Sequence, residues 1–219
     1  MPPGDPRGPA GATVVQRFLS RPNESLTRYR ALRRLEARND RFNLDGWLEA
    51  RTELADGRFS YVVVGEGGSD YIRSRVLRAV LENEERLFAT RDASQSAMTS
   101  ANYELRGVEA AEPGSLRILI KPKRREVALI DGAAVVTLPE GELIRVEGRL
   151  AKNPSFWTKR VDVVRRYTRV AGVRVPARVD SVAQIRLAGR STLSMTFEYE
   201  MVNGIRVTPP HAVALRPDR

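Results

Sequence analysis

The sequence predicts a mainly β protein of the α+β class: an antiparallel, half-open β-barrel of about 10–11 strands with a helical lid. Apolar and polar residues alternate almost without a break from Leu116 to Val207, between turns of small residues. In the clearest stretch, Leu193–Met201, five large apolar side chains fall on one face of a strand and hydroxyls and carboxylates on the other. This pattern is typical of an antiparallel sheet that is dry on one side.

The N-terminal third predicts a short helix and a three-stranded meander. Thr13–Leu19 has helical amphipathic spacing, and residues 46–54 and 58–64 flank an Asp-Gly hairpin signal. Residues 29–38 fit either a helix or a strand. We favour a strand because it completes the meander, although Arg33 then faces the apolar side.

One long helix is predicted at about residues 70–90, after a glycine-rich break at Gly65–Gly68 that we interpret as a flexible hinge. Ser69 is a suitable N-cap and Asp70 lies favourably at the positive end of the helix dipole. The apolar stripe of this helix comprises Ile72, Val76, Val80 and Leu87, with Leu77, Leu81 and Phe88 beside them. This stripe is the predicted inner surface of the lid.

The remaining sequence predicts strands separated by turns, and the predicted turns include Asp131-Gly132, Ala171-Gly172 and Asn203-Gly204. The predicted strands are Asn102–Gly107, Leu116–Lys121, Arg125–Ile130, Ala134–Leu138, Gly141–Leu150, Trp157–Val170, Val173–Leu187, Ser191–Val202 and Ile205–Thr208. We therefore expect a single domain over residues 13–208, preceded by a disordered Pro/Gly linker at 1–12 and followed by a tail at 209–219.

Composition narrows the class of protein. The 219 residues are 42% hydrophobic, enough for one sizeable core, and no apolar run approaches the ~20 residues that span a bilayer. We expect a soluble folded part from which a signal or lipid-anchor segment is absent. The net charge is +10, but the basic residues are mostly arginines spread along the chain, so we expect no nucleic-acid partner.

Candidate catalytic residues are few. There is no cysteine, which excludes disulfides and thiol catalysis, and the single histidine, His211, lies in the C-terminal tail. Carboxylate pairs such as Glu198 and Glu200 are better explained as solvated strand positions than as an acid–base pair. We therefore expect a protein that is not an enzyme and that needs no cofactor or metal.

Aromatic and basic residues are concentrated at one turn. Phe156 and Trp157 are adjacent, and Lys152 and Lys159 flank them. This combination suits contact with a membrane surface or a partner, because aromatic rings and cationic side chains cooperate at lipid headgroups. The alternative is a turn whose tryptophan packs under the rim of the barrel.

The dry face of the sheet is the candidate binding site, because one main helix is little cover for about ten strands. With lid residues Ile72, Val76 and Val80, the predicted lining is Trp47, Tyr61, Ile118, Ile120, Ile144, Val146, Phe197 and Tyr199. A partly open face would accept acyl chains. A tightly packed one would be an ordinary core.

The sequence resembles the LolA/LolB-like lipoprotein-carrier superfamily, in particular proteins of outer-membrane lipoprotein sorting. The similar segments are Ser69–Ile72, Leu143–Leu150 and Pro154–Trp157. The resemblance implies an unclosed barrel with a helical lid that holds lipoprotein acyl chains, or other lipids, during transport across the periplasm. It also implies an arginine that bonds to the lid, although the many arginines leave its position open.

We therefore expect a monomeric periplasmic or cell-envelope carrier, acting as a chaperone for lipid acyl chains or lipoproteins. The first alternative is a packed β-barrel that serves as an interaction or scaffold module without lipid cargo. A nucleic-acid binder and an enzyme are weaker alternatives.

Overall fold

A computed structural model describes residues 9–20, 24–90, 98–127 and 129–207. Eleven strands of these residues form one antiparallel sheet. They are β1 Tyr29–Asn39, β2 Leu44–Ala55, β3 Arg58–Gly68, β4 Tyr103–Ala110, β5 Ser115–Pro122, β6 Ile130–Thr137, β7 Leu143–Leu150, β8 Thr158–Val170, β9 Val173–Ile185, β10 Gly189–Val202 and β11 Ile205–Arg206.

The sheet is not closed. Its order is β3-β2-β1-β10-β9-β8-β7-β6-β5-β4, with β11 added to β10, so β3 and β4 are edges that do not pair with each other. Strand β10 pairs directly with β1, and this pairing joins the N-terminal meander to the rest of the sheet. The predicted fold class, an open antiparallel barrel with a helical part, is confirmed.

Two helices of the described residues cover the sheet. Helix α1 is Pro9–Ser20. Helix α2 is continuous from Asp70 to Ala89 and consists of Asp70–Ile72, the π-helical turn Arg73–Leu77 and Arg78–Ala89. The predicted helix at 70–90 is thus confirmed, and α1 begins at Pro9, inside the predicted linker. The last four linker residues are therefore helical, while residues 1–8 and the tail with His211 lie outside the described part.

Both helices pack on one face of the sheet, which we call the inner face. Strand pairing aligns one continuous row of residues on this face, in the order Ile118, Ala134, Val146, Arg165, Val179, Met195, Leu35, Leu48. Helix α2 packs at one end of the row, where Leu77 and Leu81 are buried, and α1 packs at the other, where Val14 is buried. The core is therefore two clusters, with Val179 touching both.

The strand assignment of residues 29–38 is confirmed by its neighbours. In β1, Leu35 lies opposite Leu48 of β2 and Met195 of β10. All three side chains are buried. The period-two alternation of β1 therefore outweighs the three-residue spacing that also suggested a helix.

The predicted break at Gly65–Gly68 is wrong, because β3 continues to Gly68. These glycines make room for a side chain instead. Trp47 of β2 lies opposite Gly67, and a Cβ on Gly67 would come 2.7 Å from the indole Nε1. A Cβ on Gly65 would come 3.3 Å from the same indole, a tight contact, so both glycines make room for the tryptophan.

The predicted turn at Asp131-Gly132 and the predicted strand at 125–130 are also wrong. The dipeptide lies inside β6, where Gly132 pairs with Gly148 of β7. A Cβ on Gly132 would come 2.1 Å from the carbonyl oxygen of Glu147, so only glycine permits this close approach. The Asp-Gly dipeptide, which is common in turns, therefore occurs here because two strand backbones lie close together and not because the chain reverses.

Candidate functional site

A charged side chain lies in the middle of the apolar interface between α2 and the sheet. Strand alternation places Arg33 of β1 on the inner face between Ala31 and Leu35, and only 2% of its surface is exposed. Arginine is almost never this buried unless it is paired. Its surroundings therefore define the candidate site.

The guanidinium of Arg33 bonds to the helix. Its Nη1 and Nη2 donate to the two carboxylate oxygens of Glu84 at 2.6 and 2.9 Å, a two-point salt bridge from the sheet to α2. Nη2 also donates to the hydroxyl of Tyr29, and the guanidinium lies 4.6 Å from the ring centroid of Phe197 and 5.1 Å from that of Phe59. The charge is thus held in an aromatic cage that one carboxylate closes.

The electrostatics of the pair favour the charged forms. Burial by itself lowers the pKa of Arg33, but the hydrogen bonds and negative charge of Glu84 outweigh it and raise that pKa above its ordinary value. Burial raises the pKa of the Tyr29 hydroxyl to about 12, although the Arg33 charge opposes this. Arg33 is therefore cationic, and Tyr29 protonated, at any physiological pH.

A second group of ion pairs fixes the start of the helix. Glu66, near the end of β3, accepts hydrogen bonds from Arg73 at 2.9 Å and from Arg78 at 2.8 Å. The polarity is the reverse of the Arg33–Glu84 pair, since the sheet supplies the carboxylate and the helix the cations. Charged contacts therefore hold α2 to the sheet at two places along its length.

Between these contacts the interface is apolar and incompletely buried. Six predicted site residues meet here: Ile72, Val76 and Val80 of α2 with Tyr61, Phe197 and Tyr199 of the sheet. Ile72 and Tyr199 are buried, while the other four are only half-buried. The stacked rings of Phe59 and Phe88, 5.9 Å apart, close the C-terminal end of α2.

Three predicted residues lie in the other cluster. Ile118, Ile120 and Val146 are almost completely buried, in the cluster that α1 covers. The structure thus separates them from the residues under α2. In this arrangement they are packed core.

The remaining two lining residues are not where the sequence predicts. Trp47 alternates with buried Gly46 and Leu48, so its side chain lies on the opposite, outer face, with the Arg34 guanidinium 4.9 Å from its ring. Ile144 belongs to neither cluster, because a bulge between β6 and β7 brings Leu143 to the inner face instead. Both orientation predictions are wrong: strand parity places Trp47 on the outer face, and the bulge changes the parity of β7 at Ile144.

The outer face carries a groove of about 480 Å³ beside Trp47. Its walls mix charged with uncharged residues, and Glu36, Arg38, Arg178 and Asp180 are among the charged ones. Arg178 donates to Asp180 at 2.9 Å, and this guanidinium helps hold the pKa of that carboxyl below its usual range, although burial opposes it. Glu36 and Arg38 form ion pairs with Arg34 and Asp40. Because these charged side chains stand in its walls, the groove is a weaker candidate for apolar cargo than the α2 interface.

The predicted contact turn is exposed. Phe156 and Trp157 meet edge to face, with ring centroids 5.8 Å apart, and neither is buried under the barrel rim. Lys152 and Lys159 are exposed beside them.

Sequence reasoning missed Arg33, Glu84 and Phe59. The signal for Arg33 was present, because it interrupts an otherwise apolar series on one face of a strand. Glu84 carried no such signal, since it resembles the other carboxylates of an amphipathic helix.

Within the described ranges, no three His, Cys, Asp or Glu side chains are grouped as a metal would require. Nor is any described helix both long and apolar enough to span a bilayer.

Comparison with known proteins gives one structural similarity. No family model and no curated protein matches the sequence. The crystal structure of a LolA superfamily protein from Nitrosomonas europaea is similar over 91% of this chain and 94% of its own, with 7% identity and a TM-score of 0.37.

Proposed function

We propose that this protein is a non-enzymatic carrier of the periplasm or cell envelope. It binds acyl chains of lipoproteins or of other lipids between α2 and the inner face of β1, β2, β3 and β10. Helix α2 is the lid of this site. Cargo binding displaces the lid, and release to an acceptor lets it close again.

The observation that supports the proposal is the way α2 is attached. Its charged contacts, Arg33–Glu84 and Glu66 with two helix arginines, can be exchanged for water, whereas its apolar stripe needs an apolar replacement. An acyl chain provides one, since each buried methylene contributes about 0.8 kcal/mol, or roughly 8 kcal/mol for ten. The open state with cargo bound can therefore be as favourable in free energy as the closed, empty state.

Arg33 and Arg165 are cations on the inner face that remain there when the lid leaves. Arg33 loses Glu84, and its Nε has no hydrogen-bond partner among the described residues even in the closed state. Arg165 lies on the row between the two clusters, half-buried, and no salt bridge of the described residues includes it. These positions suit an anionic headgroup or acyl carboxylate at the end of the bound chain.

A packed interaction or scaffold module is the second candidate. The observation in its favour is the cluster under α1, where Ile118, Ile120 and Val146 leave almost no exposed surface. In that case α2 would be a permanent part of the core. The two candidates differ in whether the apolar surface under α2 can be opened.

Native mass spectrometry separates them. The chain is expressed in a bacterial periplasm and purified without detergent, and its lipids are extracted. The carrier predicts phospholipid or acylated peptide at near-stoichiometric amounts, and the extract identifies the cargo class. A mass equal to that of the bare chain, unchanged after incubation with lipid vesicles, would contradict the carrier and support the packed module.

A further inference from the structure

Three loops lie side by side at one end of the sheet: residues 40–43, 152–157 and 186–188. The amide of Arg186 donates to the carbonyl of Trp157 at 2.7 Å, which ties the third loop to the second. The amide of Asp40 donates to the carbonyl of Arg190 at 3.1 Å, and Asn39 Nδ2 to that of Ala188 at 2.8 Å, which ties the third to the first. We call these loops together the loop end.

Large apolar side chains project into solvent from every loop of the loop end. Leu187 exposes 76% of its surface and Phe156 75%, and Trp157 and Phe42 are each more than half exposed. Leu187 stands at the tip of the β9–β10 hairpin in a left-handed conformation, at φ 64°. Isolated exposed apolar residues are ordinary, but four on three adjoining loops form a group that needs a partner.

The charges around these side chains are almost all positive. Residues 40–43, 152–160 and 186–190 contain six basic residues and one acidic residue, Asp40. Among the described residues, salt bridges occupy Arg160 and Arg190. None joins a carboxylate to the other four basic side chains, which are Arg41, Lys152, Lys159 and Arg186.

The basic and apolar groups are interleaved. The guanidinium of Arg186 lies 4.7 Å from the ring centroid of Phe156 and that of Arg41 5.9 Å from that of Phe42. Aromatic rings flanked by cations are the side chains that enter the headgroup region of a bilayer, while anionic lipids attract the charges. A buried protein interface would instead leave four unpaired cations to be desolvated.

We infer that the loop end docks on the surface of an anionic lipid bilayer, with Phe156, Trp157 and Leu187 in the headgroup layer. This contact is separate from the site under α2 and does not depend on the proposed cargo. It would hold the protein at a membrane through a peripheral contact, weakened by salt.

Co-sedimentation with vesicles tests the docking. Vesicles of phosphatidylcholine alone are compared with vesicles of phosphatidylcholine and phosphatidylglycerol in equal parts. The wild-type protein should bind the anionic vesicles at least about tenfold more tightly, and added salt should weaken the binding. The variant F156S/L187S and the variant K152E/R186E should each lose about tenfold or more in affinity for the anionic vesicles.

Matched variants control for apolarity and charge. V62S/V64S removes two exposed valines from the outer face of β3. R58E/R75E reverses two exposed arginines elsewhere that form no salt bridge with any described residue. Both should bind anionic vesicles like the wild type. Equal losses in these controls, equal binding to neutral vesicles, or no binding at all would overturn the proposal, and the last result would assign the loop end to a protein partner.

One further variant separates docking from cargo uptake. Val76 lies on the inner side of α2 and packs against the first cluster, to which no residue of the loop end belongs. V76E should therefore keep its affinity for anionic vesicles. If V76E abolishes vesicle binding, the wild-type protein sediments with vesicles because it takes up lipid and not because the loop end docks. The inference then fails.

Discussion

Arg33 of β1 and Glu84 of α2 are joined by a two-point salt bridge inside an otherwise apolar interface, with N–O distances of 2.6 and 2.9 Å. The arginine is buried on all sides, whereas about a quarter of the Glu84 side chain faces solvent. Only the glutamate, therefore, can be rehydrated without moving the helix. This asymmetry determines what each partner does when the other is removed.

Glu84→Gln should destabilise the protein by about 2–3 kcal/mol, because it leaves the Arg33 charge buried without a counter-charge. Arg33→Met should cost much less, since Glu84 can turn to solvent and methionine fills the aromatic cage. Urea unfolding measures both free energies. Glu85→Gln, at an exposed position of α2, is the control and should change the unfolding free energy by less than about 0.5 kcal/mol.

Equal costs for Glu84→Gln and Arg33→Met would contradict this account of the pair. So would a Glu84→Gln variant as stable as the control, since the Arg33 charge would then have another partner or access to water.

Val76→Glu should lower the uptake of a fluorescent fatty acid by about tenfold or more without unfolding the sheet. A carboxylate among Tyr61, Val80 and Phe197 would oppose the burial of an acyl chain next to it. Fluorescence titration gives the affinity, and far-ultraviolet circular dichroism reports the sheet. Ser74→Glu puts the same group on the exposed side of α2 and is the control.

Unchanged uptake in Val76→Glu would count against α2 as the lid. A loss of the same size in Ser74→Glu would show that charge on the helix, and not its inner stripe, governs uptake.

Arg165→Gln should weaken the binding of a lysophospholipid with an anionic headgroup by several-fold, and leave the binding of one with a zwitterionic headgroup nearly unchanged. The reason is its position on the inner face between the two clusters, with no salt bridge among the described residues. Paired titrations of the two lipids measure the difference. Arg149→Gln, on the exposed side of β7, is the matched control. Equal losses for both headgroups would remove Arg165 from the site.

Most of the sheet could be predicted from alternation, because each strand has one buried and one solvated face. The alternation of β10 and β1 and the dipeptide turns at Ala171-Gly172 and Asn203-Gly204 gave correct strands and hairpins. The wrong predictions lie at glycines that allow two strands, or a strand and a side chain, to approach closely. Locally, Gly132 indicates a turn and Gly65–Gly68 a flexible break, but these glycines permit contacts with a neighbouring strand that sequence alone does not reveal.

Gly67→Ala should destabilise the protein by about 1–3 kcal/mol, because the new methyl group meets the Trp47 indole at 2.7 Å. The cost should shrink in the double variant with Trp47→Leu, which empties the space. Thermal unfolding of the single and double variants measures the coupling. Gly107→Ala is the control, since its Cβ would lie 3.8 Å from Leu119, an ordinary contact.

A Gly67→Ala variant as stable as Gly107→Ala would show that the indole is free to move. An undiminished cost in the double variant would point to backbone strain as the cause.

Stability should fall between about pH 10 and 12, where Tyr29 is one contributor. In the unfolded chain tyrosine loses its proton near pH 10, whereas burial raises the pKa of Tyr29 in the folded state to about 12. The folded state therefore binds more protons than the unfolded state in this interval. The stabilisation that protonated Tyr29 contributes is fully present below pH 10 and is lost as the pH rises toward 12. The contribution is about 2–3 kcal/mol.

Urea unfolding at a series of alkaline pH values checks this linkage. Tyr29→Phe should flatten the decline, and the exposed Tyr71→Phe should not. The slope is the readout, because loss of the bond to Arg33 lowers the stability of Tyr29→Phe at every pH. Parallel slopes for all three proteins would contradict the raised pKa.

The candidate site could be predicted only in part. The apolar stripe of α2 and its partners Tyr61, Phe197 and Tyr199 followed from periodicity and lie together. Ile118 and Val146 have the right parity but belong to the cluster under α1, because pairing order across eleven strands decides which helix covers which residues. That Arg33 meets Glu84 depends on the docking of the helix, for which one sequence carries no local signal.

Hydrogen exchange of the α2 amides, read by mass spectrometry with and without a bound fatty acid, tests the central claim most directly. If α2 is a lid that cargo displaces, fatty acid should speed exchange across residues 70–89 and leave β5, β6 and β7 unchanged. Slower or unchanged exchange in α2 at full occupancy, or no binding of fatty acid, would contradict the account.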